Sequence, residues 1–426
     1  MKKEDYKIHI IGAGISGLVA AIELEKAGFR PIIIEATGEV GGRVKTDQVK
    51  GYQLDHGFQV LLDAYPKAKQ YLDLELLALQ QLRPGALIFK NGRSQQIGDP
   101  LRDPSFLWST LTSNVGSLAD KWKIFKLNIA LKKKSLESIF EEPEKTTLHY
   151  LKDFGFSDRI ITNFFKPFFT GIFLEPDLQT SSRMFCFVYK MFGEGHATLP
   201  KAGIGAVAHQ LSKKLSNTTF RFNTKVKAVT SNALTLDDGT ELESNATIIA
   251  TDPSSMISNL RNQEISWKSC DTLYFEVPKR TITTPLIGLV ADKEALINNI
   301  FYHDSIETLQ QGDNALLSVT VVKSHQLNET DLIRRVQDDL KDFCGIAHTV
   351  FLKHYFIPQA LPDIDALRYD LSPTESLLNE RIFLAGDQLL NGSLNAAMSS
   401  GEAAAKGLLH MLEGGVDPEH LVSDSL

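Results

Sequence analysis

The sequence predicts an α/β fold built from two interleaved domains, and three observations carry that expectation. A short β-rich run, Lys7 to Ile11, leads at once into a glycine-spaced turn and an amphipathic helix. Near the C-terminus a second buried-strand run, Ile382 to Ala385, precedes a helix rich in small residues. The chain has 426 residues, too many for one simple core. Hydrophobic residues make up 43% and charged residues 23%, the balance of a globular protein. The net charge of -7 lacks the basic excess of a nucleic-acid binder.

Gly12-Ala13-Gly14-Ile15-Ser16-Gly17 follows the first strand, and Leu18 to Ala27 continues as a helix that Gly28 ends. Pro31 to Ile34 is the next strand, with Glu35 and Ala36 at its tip. Gly12 permits the tight turn, Gly14 lets backbone approach a pyrophosphate, and Gly17 lets helix and strands pack closely. The helix N-terminus offers unpaired N–H groups and partial positive charge to phosphates. A carboxylate about 20 residues past the glycines accepts hydrogen bonds from a ribose diol and repels a 2′-phosphate. The expectation is a Rossmann-like dinucleotide site at Gly12, Ala13, Gly14, Ser16, Gly17, Glu35 and Ala36, with NADP disfavoured.

Just beyond stands Gly38-Glu39-Val40-Gly41-Gly42-Arg43. Adjacent glycines bring bare backbone, and a guanidinium forks onto phosphate oxygens. Nicotinamide sites do not need this second clamp, so Gly42 and Arg43 favour FAD.

With these motifs in hand, the chain resembles the flavin amine oxidase superfamily, which includes amine oxidases, protoporphyrinogen oxidases and phytoene or carotene desaturases. Two further stretches match. Asp55-His56-Gly57-Phe58-Gln59-Val60 is similar to the segment that runs beneath the flavin. Ala385-Gly386-Asp387, then Gly392-Ser393-Leu394-Asn395-Ala396-Ala397-Met398, resembles the last strand and the helix that starts under the isoalloxazine ring. The resemblance implies FAD contacts at Gly57, Phe58, Gly386, Asp387, Leu394 and Asn395. It also implies an adenine-side contact at the backbone of Val226, and an approach of Tyr355 to Pro362 to the flavin face.

The implied FAD/NAD(P)-binding domain is discontinuous: residues 1–62, 196–254 and 375–426. Residues 63–195 and 255–374 form a mixed α+β substrate domain. Phe220 to Val229 reads as one alternating strand, followed by a hairpin at Asp237-Asp238-Gly239-Thr240 and a buried strand at Thr247 to Ala250. Leu316 to Val322 reads as a strand. Thr281 to Val290, interrupted by Pro285 and Gly288, reads as an edge strand or a bulge. Gly203-Ile204-Gly205-Ala206-Val207-Ala208 follows Pro200 and Lys201 rather than a strand, so it reads as a helix start and not a second dinucleotide site. Leu118 to Leu136 is lysine-rich and amphipathic; a solvated helix face is the commoner use of such a helix, and contact with a membrane surface the rarer one. The aromatic stretch from Phe164 to Phe192 fits either a helical core or the wall of an apolar cavity.

No HExxH, nucleophile elbow or paired metal ligands occur, so no metal is expected and no catalytic side chain is named. Cys186, Cys270 and Cys344 are far apart and form no CxxC, as in a reducing, cytoplasmic setting. No run of 18 apolar residues appears, and the charged start does not suit a signal peptide. His56 is expected to hydrogen-bond rather than to catalyse.

The resemblance implies hydride transfer from substrate carbon to flavin N5, then to oxygen or a quinone. Where amine-oxidising relatives commonly place an aromatic residue, this chain has Ser393, which turns the expectation toward an apolar polyene or hydroaromatic substrate. No cysteine lies near Leu394, so the FAD is expected to be held without a covalent bond. Amine oxidation, a redox-neutral flavin isomerase and a non-catalytic lipid-binding protein stay open as alternatives.

Overall fold

The computed structural model describes residues 2–257, 260 and 264–414. The end of the expected cofactor domain, 415–426, lies outside the described residues.

A six-stranded sheet forms one half of the molecule. Its strands run in the order Thr219–Arg221, Ile32–Ile34, Ile8–Ile11, Ala246–Ile249, Ile382–Leu384 and Leu377–Asn379. All pair in parallel except the last, which runs antiparallel at the edge. The run Ile8–Ile11 is wholly buried because the sheet is covered on both faces. Alternate residues divide between two cores. Ile10, Ile33, Ile248 and Phe383 face helix Ile15–Lys26 and helix Leu394–Gly414, while Ile11, Ile34, Ile249 and Ile382 face an antiparallel meander, 226–243.

The two helices meet through small side chains. A methyl on Gly401 would come within 2.2 Å of the Ser16 carbonyl oxygen, which is why the last helix is small-residue-rich there.

A seven-stranded sheet forms the other half, in the order Val350–Pro362, Trp267–Val277, Ala315–Val321, Ile297–Tyr302, Ile287–Val290, Gly85–Lys90 and Arg93–Gly98. Helix Glu329–Cys344 packs on it through Leu332, Val336 and Leu340. Helices between Phe106 and Glu194 form a helical lobe whose buried side chains, Phe165 and Phe185 among them, belong to the same continuous core as the parallel sheet. Among the described residues no helix is long and apolar enough to cross a membrane.

Four sequence expectations are corrected. Phe220 to Val229 is not one strand: the chain leaves the parallel sheet after Arg221, turns through Asn223 at φ 52°, and enters the meander at Val226. Thr281 to Val290 is not an edge. Only Ile287–Val290 is extended, and it lies inside the sheet between Ile297–Tyr302 and Gly85–Lys90. Pro285 precedes the strand, and Gly288 is required because a Cβ would press on Ile300 and Phe89. A strand, Ala197–Pro200, does precede the glycines at 203–205, but it is antiparallel to its neighbours. Those glycines open no phosphate site. The Ile204 and Gly205 N–H groups donate to Asp55 Oδ1 (3.0 Å) and Thr46 Oγ1 (2.8 Å). Finally, the lysine-rich stretch breaks into helix Leu118–Lys132 and helix Leu136–Glu141, the second capped by Ser135.

Candidate cofactor and active site

One cavity of about 1620 Å³ runs between the two sheets and the helical lobe. Single-ligand pockets span about 300–1,000 Å³, so this one has room for a dinucleotide and a second molecule.

Its inner end is a cradle of bare backbone. Gly12, Gly14, Ser16, Gly41 and Gly42 line it. The two glycine turns lie against each other: the Gly41 N–H donates to the Ala13 carbonyl (2.9 Å), and a Cβ on Gly42 would sit 3.3 Å from the Gly14 Cα. Gly41 at φ 123° and Gly42 at φ 60° hold a backbone that other residues rarely adopt. Helix Ile15–Lys26 begins at Gly14 with no side-chain cap. Its first N–H groups therefore face the cradle, where an anion satisfies them.

Glu35 is buried and lines the same end. Its Oε2 accepts from the Ala13 N–H (2.8 Å), and its Oε1 accepts from the Thr37 N–H and hydroxyl (2.8 Å each). The carboxylate thus ties the strand tip to the glycine turn and also lines the cavity.

Arg43 and Asp387, 344 positions apart in sequence, meet across the cavity. The guanidinium forks onto both carboxylate oxygens, with Nη1 3.0 Å from Oδ2. It also donates to the Ala360 carbonyl (3.3 Å) and lies over the Trp267 ring at 5.1 Å. Sequence reasoning aimed Arg43 at phosphate and did not foresee the partner. Gln59, for which the sequence suggested no role, fixes this corner by donating to the Arg43 and His56 carbonyls (2.9 Å each).

Gly57 and Phe58 line the next section, with Gly386 and Leu394 opposite. Gly386, at φ 150°, donates its N–H to Ser400 Oγ (2.9 Å). Ser393 stands before the last helix, and its Oγ accepts from the Ala396 N–H (3.0 Å), the work of an N-cap. His56 Nε2 lies 3.0 Å from Asp47 Oδ2, and its ring packs on Tyr355 at 4.5 Å.

Five expected site residues do not line the cavity. Gly17 packs under the turn and Ala13 serves through its backbone. Ala36 is exposed. Asn395 turns its Oδ1 to the Lys67 N–H (3.0 Å). Val226 is buried in the meander core and is not among the cavity-lining residues, and the adenine-side contact expected at its backbone stays a proposal. Its strand begins only after the chain has left the parallel sheet.

Beside the cavity, burial pushes the Asp55 carboxyl up to about 6, while bonds from Thr46 and Ile204 pull it back. The folded protein holds this proton more tightly than the unfolded chain. The associated stability is full below the ordinary value of 3.8 and is lost as pH rises through about 6. Asp55→Asn keeps an oxygen for both donors. Urea titrations at pH 4 and pH 7 are expected to show the wild type losing stability relative to the variant at the higher pH; a constant difference refutes this.

The outer end is apolar and aromatic. Helical spacing sorts the phenylalanines. Phe165, Phe169 and Phe185 are fully buried, whereas Phe164, Phe168 and Phe192 face the cavity with Met184 and Tyr189. Phe164 and Phe168 stack at 5.5 Å. Core and wall are thus both present, one turn-face apart. The seven-stranded sheet adds Lys268, Cys270, Asn299 and Thr320, none of which carried a sequence signal. Lys268 pairs with Asp363 at 3.1 Å, and Asn299 donates to Thr320 Oγ1 (3.2 Å).

Among the described residues no group of His, Cys, Asp and Glu is arranged to hold a metal ion. The uncapped helix, the opposed glycine turns and the adjacent guanidinium fit a dinucleotide pyrophosphate.

Comparison with known proteins agrees. Protoporphyrinogen oxidase 2 of Arabidopsis thaliana is 27% identical over 165 residues, 39% of this chain and 32% of that protein. Hydroxysqualene dehydroxylase of Zymomonas mobilis is 44% identical over 66 residues, 15% of this chain and 16% of that protein. The chain therefore spans about a third or less of these relatives' length. An oxidoreductase structure from Methanosarcina mazei superposes with a TM-score of 0.72 at 17% identity, covering 94% of this chain and 100% of that one, which shows the fold alone. The family described as flavin containing amine oxidoreductase matches residues 15–409, and the chain belongs to that family, with FAD as its cofactor.

Proposed function

We propose that the protein is an FAD-dependent oxidoreductase that removes a hydride from an apolar polyene or hydroaromatic substrate and passes electrons to oxygen or a quinone. The observation that carries this reading is the aromatic wall of Phe164, Phe168, Tyr189 and Phe192 at the far end of the cavity that begins at the glycine cradle. Ser393, where an amine cage would need an aromatic ring, is consumed in capping its helix.

Bound FAD supplies a two-electron acceptor, a chemistry that side chains lack. The protein's share is placement. Gly12, Gly14 and Gly42 would present backbone to the pyrophosphate, Glu35 holds the turn and would meet the ribose, and Arg43 would stand beside the phosphates. The phenylalanines exclude water and hold a flat substrate against the inner section. Residues 1–62, 196–254 and 375–426 make the cofactor domain in this reading, and the remainder the substrate domain.

The test is anaerobic bleaching of the flavin against a panel of carotenes, porphyrinogens and amines. A carotene or porphyrinogen is expected to bleach it, with product two hydrogens lighter. Bleaching by amines alone contradicts the substrate class. Unchanged product mass with shifted absorption points instead to an isomerase. Glu35→Ala is expected to weaken flavin retention by about 1–3 kcal/mol, read from flavin lost on dilution, since a buried acceptor of several donors is removed.

A further inference from the structure

Helix Leu118–Lys132 has two apolar faces. Leu127 and Leu131 point into the core. Leu118, Trp122, Phe125 and Ile129, spaced 4, 3 and 4 apart, form a second stripe on the outer side. Leu118, Trp122 and Ile129 are 67%, 57% and 42% exposed. The neighbouring helix Phe106–Thr112 adds Leu107, Trp108 and Leu111, at 49%, 76% and 45%. The two helices are joined by Lys121, whose Nζ donates to the Leu111 and Ser113 carbonyls. A surface that holds Trp108 three-quarters exposed beside this stripe is unusual for a protein that meets only water.

Charge and position narrow what covers it. Residues 101–134 contain seven bases and two acids in a chain of net charge -7. Both acids are engaged: Asp103 pairs with Arg83, and Asp120 is buried, accepting from Ser117 and Ser157; of the bases, Lys134 pairs with Glu142. Lys126, Lys132 and Lys133 are exposed, and Lys126 sits over the Trp122 ring at 5.8 Å. The cavity opens through the same surface, because Leu107 and Leu111 are both exposed and among its walls, with Lys121, Ile124 and Phe125 beside them.

We infer that this face docks on an anionic lipid bilayer, with Trp108 and Trp122 at the interface and the lysines against lipid headgroups. Tryptophan amphiphilicity suits the headgroup boundary, and lysines flanking an apolar stripe are the pattern of an interfacial helix. The docked cavity then opens toward the bilayer, where an apolar molecule is dissolved, rather than toward water. The docking stands whether or not the proposed substrate class is right, because it rests on the outer surface and not on the inner chemistry.

The flavin-loaded full chain is mixed with vesicles of phosphatidylcholine alone, or with phosphatidylserine added, and sedimented. Binding to the anionic vesicles is expected, with a blue shift of tryptophan emission, and at least tenfold weaker binding to the neutral ones. Trp108→Ser/Trp122→Ser and, separately, Lys126→Glu/Lys133→Glu are expected to lower the bound fraction at least tenfold while flavin content stays unchanged. No sedimentation with anionic vesicles, or sedimentation that the tryptophan pair leaves intact, overturns the proposal. A chain that is dimeric in solution and becomes monomeric in the tryptophan variant also overturns it, since the face then belongs to a second copy. Substrate bleaching in detergent is a separate readout, so failure of the substrate reading is not confused with failure of docking.

Discussion

Gly17→Ala is expected to destabilise the folded protein by about 3 kcal/mol, the upper end of the range for overpacking, and to strip it of flavin. One methyl is enough because the obstacle is backbone. A Cβ at Gly17 would lie 2.1 Å from the Gly12 carbonyl oxygen, and that oxygen belongs to a turn held by the Gly12 N–H on Ile34. Neither side can yield without moving strand or helix. Gly14→Ala is the matched control. Nothing lies within 4 Å of a Cβ there, and its φ of -74° suits any residue. The unliganded Gly14→Ala protein should keep wild-type stability within about 0.5 kcal/mol, yet bind flavin poorly, because the methyl occupies the phosphate approach. Thermal unfolding of the unliganded proteins and the flavin-to-protein absorbance ratio separate the two effects. Equal stability of the two variants refutes the packing assignment.

Arg43→Met is expected to cost about 3 kcal/mol of stability, because it leaves a buried carboxylate without its cation. Asp387 is 4% exposed, so its charge has little recourse to water. The cost sits at the low end of the range because the Arg43 side chain is 37% exposed and gives up less on removal. Adding Asp387→Asn should restore most of the lost stability by removing the stranded charge. Flavin retention should not return, since the guanidinium beside Gly42 is still missing. Denaturant unfolding of both single variants and the double variant tests the first claim, and flavin dissociation tests the second. Strictly additive losses refute the pairing.

The inner half of the site was legible in the chain because backbone makes it. Gly12, Gly14, Gly42 and Glu35 work through turns and strand tips only a few residues long, and such geometry is written in local spacing. The 220–229 segment misled because ten residues of alternating pattern concealed the change of sheet at Asn223. The 281–290 segment misled because Pro285 lies just outside the strand, and Gly288 answers to crowding from neighbouring strands rather than to an edge. The turn Asn91-Gly92, with φ of 51° and 67°, shows a hairpin signal that could have located the edge of the second sheet.

Local spacing along the chain was enough to specify the parallel sheet around Ile8–Ile11, the glycine cradle, the acidic strand tip and the small-residue last helix. Only long-range packing makes Arg43 fork onto Asp387, turns Phe164 and Phe168 to the cavity while Phe165 and Phe169 fill the core, and brings Lys268 and Thr320 to one wall. The difference is one of range. A glycine cradle is a property of contiguous backbone, but the cavity's outer wall is assembled from single side chains on strands and helices far apart in the chain, and each of them looks like ordinary core until packing turns it toward the cavity.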